Sequence, residues 1–310
     1  MAATAFDTDR PTAQRPLLGM GLRLLTAVLL SGMFALVKLA SQRGVHIVES
    51  LFWRQVGSAS CATAFVLVGP GLASLRTKRV GAHVGRMALG LVTMALNFLG
   101  MAMLPLAEAT AIFNSVPIFS TLLAALWLGE PTGKWRWGAV LAGFLGVLIV
   151  ARPGGGELPL DGVAVSILAA LMTAWVTIVI RRLSATEAAS TTVFWFAFSS
   201  LLPLGILMLR FGQAHDGPTV LILAGIALTG GLAQLTLTGA LRLAPVALVM
   251  PMDYTSLVWA ALLGLLVFGD WPHAATWAGG TVIILSGLTI LWREQRLHRA
   301  RAASGEADAA

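Results

Sequence analysis

Residues 104–154 read LPLAEATAIFNSVPIFSTLLAALWLGEPTGKWRWGAVLAGFLGVLIVARPG, and this stretch decides the fold. It holds two apolar segments of about 20 residues each, the length that a helix rising 1.5 Å per residue needs to cross about 30 Å of hydrocarbon. The turn between them carries a Gly-Glu-Pro triplet and basic residues, with tryptophans on both sides. Charges in water and indole rings at headgroup level are typical of a membrane surface. The stretch therefore predicts two membrane-spanning helices.

The same pattern returns at residues 241–292, LRLAPVALVMPMDYTSLVWAALLGLLVFGDWPHAATWAGGTVIILSGLTILW. The match extends upstream and includes polar and aromatic positions, so it is not only a match of apolar letters. The equivalent positions are Gly129-Glu130 with Gly269-Asp270, Asn97 with Gln234, and Phe52-Trp53 with Phe194-Trp195. Self-similarity of this kind indicates an internal duplication.

The Gly-Glu turn, the LAEATA sequence at 106–111, Pro117 and the duplication together resemble the EamA family of the drug/metabolite transporter superfamily, over about residues 19–294. The resemblance implies a transporter of small molecules, and the family carries many unrelated substrates. The stretches LAEATAIFNSVPIF (106–119) and RRLSATEAASTTVFWF (181–196) are similar to the subgroup that contains riboflavin and S-adenosylmethionine carriers.

Composition indicates a polytopic membrane protein. Hydrophobic residues make up 57% and charged residues 11% of the chain, with a mean hydropathy of +0.83, whereas soluble domains are about 25% charged. The single cysteine, Cys61, excludes an intramolecular disulfide. The five histidines form no ligand pair, so we expect neither a metal site nor a cofactor. The net charge of +7 is spread over loops, which argues against a nucleic-acid partner.

We predict an all-α membrane protein with ten transmembrane helices as two inverted five-helix repeats. A loose polar N-terminus at 1–18 precedes repeat one at 19–152, a linker at 153–159 leads to repeat two at 160–292, and a disordered tail follows at 293–310. The predicted spans are 19–40, 47–69, 83–103, 108–128, 134–151, 160–180, 189–211, 219–241, 246–268 and 274–292.

Basic residues predict the orientation. Sixteen Arg and Lys residues fall on the side of the termini and the even-numbered loops, four fall on the opposite side, and Arg54 lies inside a segment. The positive-inside rule then places both termini in the cytoplasm and the protein in the cytoplasmic (inner) membrane. Because each repeat has five segments, the second enters the membrane inverted. Substrate sites of inverted-repeat transporters lie near the midplane, at the repeat interface.

Arg54 is a charged residue inside the second predicted span, where the membrane favours apolar side chains. Gly57, Ser58 and Cys61 share its helical face, which predicts a surface lining a cavity or packing on another helix. Two interpretations remain open: Arg54 binds an anionic group of the substrate, or it reaches the surface or pairs with Glu49. Its equivalent in repeat two is an apolar residue, Phe196.

Interrupted helices predict the rest of the site. Pro251 precedes Asp253 and Tyr254, and Asn114 precedes Pro117 at the corresponding place in repeat one. Two Pro-interrupted spans in matching positions indicate a transport site. Asp253 is predicted to bind a proton or an amine, or to play a structural role by pairing with Arg54 or capping a half-helix.

Four further side chains complete the predicted substrate-binding set. Asn97 and Gln234 are equivalent amides that either bond between helices or contact the substrate. Trp175 and Trp195 are predicted cavity walls, with core packing as the alternative. Glu130 and Asp270, at turn mouths, are assigned structural roles. Small residues in the fifth and tenth segments favour close helix packing, and the resemblance implies a scaffold or homodimer surface there.

The function predicted first is that of a secondary transporter, which moves a small polar organic metabolite by alternating access. Its expected partners are this substrate and the surrounding membrane lipids. The family resemblance favours an exporter of amino-acid-like metabolites, including amino-acid-derived metallophores. The alternative is an uptake carrier for a vitamin or nucleoside-like compound, of the riboflavin or S-adenosylmethionine type. An integral-membrane enzyme would need a motif such as HExxH or GxSxG, and neither occurs. A sensor without transport is a further alternative. No nucleotide-binding loop is present, so ATP does not drive the cycle directly.

Overall fold

The structure is a computed structural model that describes residues 15–68, 71, 75–77, 79–127, 133–152, 158–184 and 186–303. Within these ranges ten helices are long and apolar enough to cross a membrane. The described chain contains no β-strand. The predicted Gly129-Glu130 turn lies outside the described residues, as does most of the predicted N-terminal segment.

The helices confirm the predicted spans to within about four residues at most of their ends. In chain order they are α1 (Pro16–Gln42), α2 (Ile47–Val68), α3 (Val80–Met103), α4 (Leu106–Phe113), α5 (Val116–Trp127), α6 (Lys134–Ala151), α7 (Leu160–Ser184), α8 (Ala189–Phe211), α9 (Gly217–Leu243), α10 (Val246–Val249), α11 (Ser256–Leu263) and α12 (Ala274–Ala303). The helices α4 and α5 together make the fourth span. Residues 250–268, which include α11, make the ninth.

Two inverted five-span repeats form the bundle, as predicted. Helices of repeat one lie against helices of repeat two: α1 packs along α9, α2 along α8 and α9, α3 along α7, and α6 along α12. The packing is unequal, because α2 packs along α9 much more extensively than their counterparts, α8 and α3, pack against each other. We call the end where α1 begins and α12 ends the termini end, and the other the distal end.

Glycines allow the closest helix contacts. At Gly57 of α2, an added Cβ would clash with the carbonyl of Ala227 in α9. At Gly146 of α6, a Cβ would stand 2.9 Å from the carbonyl oxygen of Gly279 in α12. The predicted close packing of small residues in the fifth and tenth spans is confirmed at Gly146 and Gly279, whereas Gly138 faces open space.

Both predicted interruptions are confirmed. The fourth span breaks at Asn114 and Ser115, between α4 and α5. The ninth changes from α10 to a 3₁₀ segment, Met250–Thr255, before α11 begins. It ends in a π-helical turn, Gly264–Phe268, that the sequence did not predict and that Gly269 closes with a φ of 72°. Pro251 lacks an N–H and so removes one backbone hydrogen bond here, which favours the change in helix type, although α8 continues through Pro203.

The prediction of a disordered chain from Arg293 is wrong as far as Ala303, because α12 continues to that residue. Residues 293–303 read REQRLHRARAA, which contains strong helix formers and neither glycine nor proline. The chain therefore extends an existing helix without paying again for nucleation. At the other terminus α1 already begins at Pro16, a residue whose fixed φ suits a first helical turn.

Candidate substrate site

The two interrupted spans contact each other at the centre of the bundle. Ser256, where α11 begins, donates a hydrogen bond of 3.4 Å to Oδ1 of Asn114, at the end of α4. Ser31 of α1 donates to the carbonyl of Ser256 at 3.4 Å. Asn114 is 7% exposed, and its Nδ2 is buried without a hydrogen-bond partner. The breaks of the two repeats thus meet, and they leave an amide donor available to a ligand.

Asp253 pairs with Arg23 of α1. The guanidinium donates through Nε and Nη2 to the two carboxylate oxygens, a bidentate contact that joins the repeats. The alternative that Asp253 pairs with Arg54 is therefore wrong. The neighbouring Tyr254 is buried against Gly287 of α12, and its hydroxyl has no hydrogen-bond partner.

Arg23 was counted with the charges of the cytoplasmic terminus, but it is 8% exposed inside α1. Lys38 and Arg86 were also counted with loops and also lie within helices. The sequence already indicated that these residues are in helices, because all three fall inside the predicted spans. The count of loop charges assigned them to loops because each lies near the end of a span.

Arg54 lies between α2 and α9. Its Nη1 donates to Oε1 of Gln55, and its Cγ is 3.0 Å from the place of a Cβ on Gly230. Its Nε is buried without a partner. The predicted alternative of an ion pair with Glu49 is wrong, because Glu49 binds His215. A lone guanidinium in a transmembrane helix costs about 2.5–3.5 kcal/mol on insertion scales.

The predicted amides occupy different places. Asn97 donates from Nδ2 to the carbonyl of Thr93 at 2.9 Å and to Thr173 of α7 at 3.1 Å, so it bonds between helices of the two repeats. Gln234 lines a cavity of about 20 Å³, together with Phe65 and Thr238 among others. This cavity is large enough for a water molecule and too small for an organic metabolite.

The predicted tryptophan walls lie towards the termini end. Trp175 stands with its ring centroid 4.8 Å from that of Trp127, beside a cavity of about 60 Å³. Trp195 donates from Nε1 to the carbonyl of Leu75 at 3.0 Å and stacks on His83 at 5.8 Å. A metabolite of ordinary size fits neither cavity, so its binding requires the helices to separate.

A clasp of polar side chains ties the distal loops together, and the sequence did not predict it. Glu49 is 1% exposed and lies 2.7 Å from Nε2 of His215, so the start of α2 is joined to the loop between α8 and α9. His46 stacks on Phe211, with ring centroids 4.2 Å apart. We call these four residues the distal clasp.

Asp216 lies beside the distal clasp and begins α9. It accepts a hydrogen bond from the backbone N–H of Thr219 at 3.2 Å and lies 3.9 Å from Arg43. Hydrogen bonding from Thr219 lowers the pKa of the Asp216 carboxyl, which keeps this cap ionised.

A second clasp stands at the termini end. Thr77 donates to Glu187 at 2.7 Å, Arg79 donates to Thr186 at 3.0 Å, and His83 lies 3.8 Å from Glu187. These contacts join the loop before α3 to the loop before α8. The two clasps occupy related places in the inverted repeats, and each sets a histidine beside a glutamate. We call these five residues the termini clasp.

Lys38 closes the distal end near the interrupted spans. Its Nζ donates to the carbonyl of Leu104 at 2.8 Å, where α3 has ended, and lies 3.7 Å from Asp270. Glu108 of α4 accepts from Thr276 of α12 at 2.8 Å. Asp270 was assigned a structural role, and its ion pair with Lys38, in which 44% of the Asp270 side chain stays exposed, is a role of that kind.

Comparison with known proteins assigns the family. The model of the EamA-like transporter family matches residues 17–152 and again residues 160–292, so each repeat matches once. One crystal structure shares 19% sequence identity and superposes with a TM-score of 0.61 over 91% of this chain and 98% of the other. That likeness supports the fold alone.

Curated relatives of similar length are transporters. A riboflavin transporter of Vibrio cholerae is 32% identical over 74% of this chain and 77% of its own length. An S-adenosylmethionine uptake transporter of Rickettsia felis is 25% identical over 90% and 94% of the two chains. The pseudopaline exporter CntI of Pseudomonas aeruginosa is 27% identical over 88% and 95%.

Proposed function

The chain belongs to the EamA-like transporter family, and from this premise we propose that it is a secondary transporter that moves a small polar organic metabolite across the cytoplasmic membrane. The observation that carries the proposal is the contact between Asn114 and Ser256, where the interrupted spans of the two inverted repeats meet. Breaks in transporter helices free backbone groups to bind a substrate at the repeat interface.

Alternating access would use the two clasps as gates. The distal clasp and the termini clasp are both closed in this structure, and the cavities between the helices are small. We infer that one clasp opens while the other stays closed, as the repeats rock against each other. Since the clasps are related by the duplication, the same motion of the opposite repeat opens the other side.

We propose that the termini end faces the cytoplasm, because most of the basic residues lie on that side. Moving Arg23, Arg86 and Lys38 from the loop sets into the helices leaves fourteen basic residues on the termini side against three on the distal side. The positive-inside bias therefore survives the correction. Labelling single cysteines in a Cys61→Ala background with an impermeant maleimide would test it. Reaction of a cysteine placed at Thr186 with reagent added outside intact cells would refute it.

The relatives support two directions of transport. Similarity to the riboflavin transporter favours a vitamin or nucleoside-like compound, and similarity to the S-adenosylmethionine uptake transporter favours uptake, so we propose this class of compound and this direction. Similarity to the pseudopaline exporter favours export of an amino-acid-like metabolite, which is the alternative. Riboflavin and S-adenosylmethionine are therefore the first compounds to test.

The deciding experiment compares cells with and without the protein by mass spectrometry of internal and external metabolites, followed by flux into proteoliposomes. We expect at least one metabolite to change, and an initial rate at least tenfold lower for Asn114→Ala than for wild type. Ser184→Ala is the control, because Ser184 is exposed and bonds only to the carbonyl of Arg181 at 2.8 Å. Identical metabolite levels in both cell lines would overturn the proposal.

A further inference from the structure

Two arginines on neighbouring helices have no acidic partner among the described residues. Arg54 lies in α2 and Arg86 in α3, two helices that pack against each other, so their positive charges repel. The Nε of Arg54, together with Nε and Nη1 of Arg86, is buried without a hydrogen-bond acceptor. The neighbouring Gln55 is fully buried, and its Nε2 also lacks a partner. Four donor atoms are therefore unsatisfied in one part of the molecule.

The surrounding groups hold these arginines in place without neutralising them. The guanidinium of Arg86 lies 4.0 Å from the ring centroid of Phe196 in α8, a cation–π contact that orients it. Gly90 leaves room for this contact, because a Cβ there would stand 2.6 Å from Nη1 of Arg86. Phe196 occupies the position in repeat two that is equivalent to Arg54 in repeat one. The two equivalent residues therefore differ: one is a cation, and the other contacts the second arginine.

Two other cations that are buried in the described spans, Arg23 and Lys38, have partners. Arg23 binds Asp253 through two nitrogens, and Lys38 bonds to a backbone carbonyl and lies near Asp270. Arg54 and Arg86 differ from them, since neither forms an ion pair in the part of the chain that the structure describes. An arginine does not escape this situation by losing its proton, because a guanidinium stays protonated in proteins. The described part of the chain therefore supplies no counter-charge for these two arginines.

The location fits a ligand that enters between the repeats. Arg86 and Phe196 stand where α3 meets α8, the contact that is much less extensive than its counterpart between α2 and α9. Arg54 lies seven residues after the start of α2, and its side chain packs on Gly230 of α9. The side chain therefore points into the bundle rather than towards lipid. Helices of both repeats therefore surround the donors.

We propose that Arg54, Gln55 and Arg86 form an anion-binding subsite that takes a carboxylate or phosphate group of the transported metabolite. Guanidinium groups bind both oxyanions through paired N–H donors, and the Gln55 amide adds a neutral donor. This proposal rests on the proposed transport function and narrows its substrate to metabolites with an anionic group. Of the two compounds to test first, S-adenosylmethionine carries a carboxylate and fits this subsite, whereas riboflavin is uncharged and would leave both arginines without a counter-charge.

The first test measures binding rather than transport. The purified full chain in phosphatidylcholine nanodiscs is unfolded by heat with sodium phosphate, sodium succinate or sodium chloride at equal ionic strength. We expect phosphate or succinate to raise the Tm of wild type by several degrees over chloride. Arg54→Gln and Arg86→Gln should weaken the apparent affinity at least tenfold. Arg76→Gln, which removes an exposed charge, is the matched control and should behave as wild type.

A second measurement separates a ligand site from a structural role. Without added anion, Arg54→Gln and Arg86→Gln should be at least as stable as wild type, because each removes one of two charges that repel. A lower Tm for both variants, with an unchanged response to phosphate and succinate, would overturn the subsite. Stabilisation of wild type alone by nanodiscs that contain phosphatidylglycerol, with no response to soluble anions, would assign the arginines to a lipid headgroup and also overturn it.

Transport measurements distinguish the anion-binding subsite from the transport function on which it rests. Flux of an identified metabolite that is the same in wild type, Arg54→Gln and Arg86→Gln would refute the subsite and leave the transport function standing. Binding of anions that requires both arginines, in a protein that changes no metabolite level in cells, would refute transport and leave the subsite standing.

Discussion

The ion pair between Arg23 and Asp253 provides a quantitative test of how the repeats are joined. The perturbation is a set of three variants: Arg23→Gln, Asp253→Asn and the double substitution. Each replaces a charge by a neutral side chain that still forms hydrogen bonds. The two residues belong to different repeats, so the loss of their contact is expected to loosen α1 from the 3₁₀ segment of the ninth span.

The structure predicts unequal costs for the two single variants. The side chain of Arg23 is 9% exposed and that of Asp253 is 40% exposed. Asp253→Asn leaves a buried guanidinium unpaired, and we expect a loss of about 2.5 kcal/mol, below the usual range for buried pairs because Asp253 is partly solvated. Arg23→Gln leaves a carboxylate that water reaches, so its cost should be about 1 kcal/mol. The double variant should lose about 1.5 kcal/mol.

Reversible unfolding by sodium dodecyl sulfate in mixed micelles measures these free energies, with linear extrapolation to zero denaturant. Asp161→Asn is the control, because this exposed carboxylate at the start of α7 bonds only to the neighbouring backbone N–H at 2.9 Å. The expected coupling energy between Arg23 and Asp253 is about 2 kcal/mol, or roughly a 30-fold change in the equilibrium constant. Strictly additive single costs, or a larger cost for Arg23→Gln than for Asp253→Asn, would refute this reasoning.

Two further predictions follow from the distal clasp and from helix packing. Glu49→Ala should unpair His215, and an impermeant maleimide should then label a cysteine introduced at the buried Val45 faster from the distal end. Equal labelling in the presence and absence of Glu49 would show that the clasp does not close this end. Gly57→Ala should lower the free energy of unfolding by about 1–3 kcal/mol, because its Cβ would meet the carbonyl of Ala227. Gly32→Ala, where a Cβ meets nothing within 4 Å, should instead be neutral or stabilising by up to about 1 kcal/mol, and equal costs at the two glycines would contradict the packing described here.

Much of the architecture was predictable, because a bilayer admits few backbone solutions. A chain in hydrocarbon must satisfy its own N–H and C=O groups, so a long apolar segment forms a helix whatever its neighbours are. Pro117 and Pro251 then marked the interruptions, since proline removes a donor that a continuous helix needs. The failure beyond Arg293 has a different cause: polarity there indicated exposure to water, and exposure does not prevent a helix from continuing.

The candidate site was predictable in its parts and not in its partners. Arg54, Asn114 and Asp253 stood out because polar groups at that depth are costly. Their contacts were assigned wrongly or not at all: Asp253 binds Arg23, which had been counted as a terminal charge, and Arg54 bonds to Gln55 and packs at Gly230. Pairing depends on which helix faces which, and local sequence does not encode it.

By itself the sequence determined the number of spans, the duplication, the inversion that an odd number of spans imposes, and the places where two helices break. These features follow from the length of the apolar segments, from the sequence match between the two repeats and from the positions of the prolines. All of them can be found without knowing how the helices pack. Only the tertiary structure decided which buried charges are paired and which remain open to a ligand. Residues such as Arg23 and Asp253 are 230 positions apart, and their contact arises from the packing of whole helices.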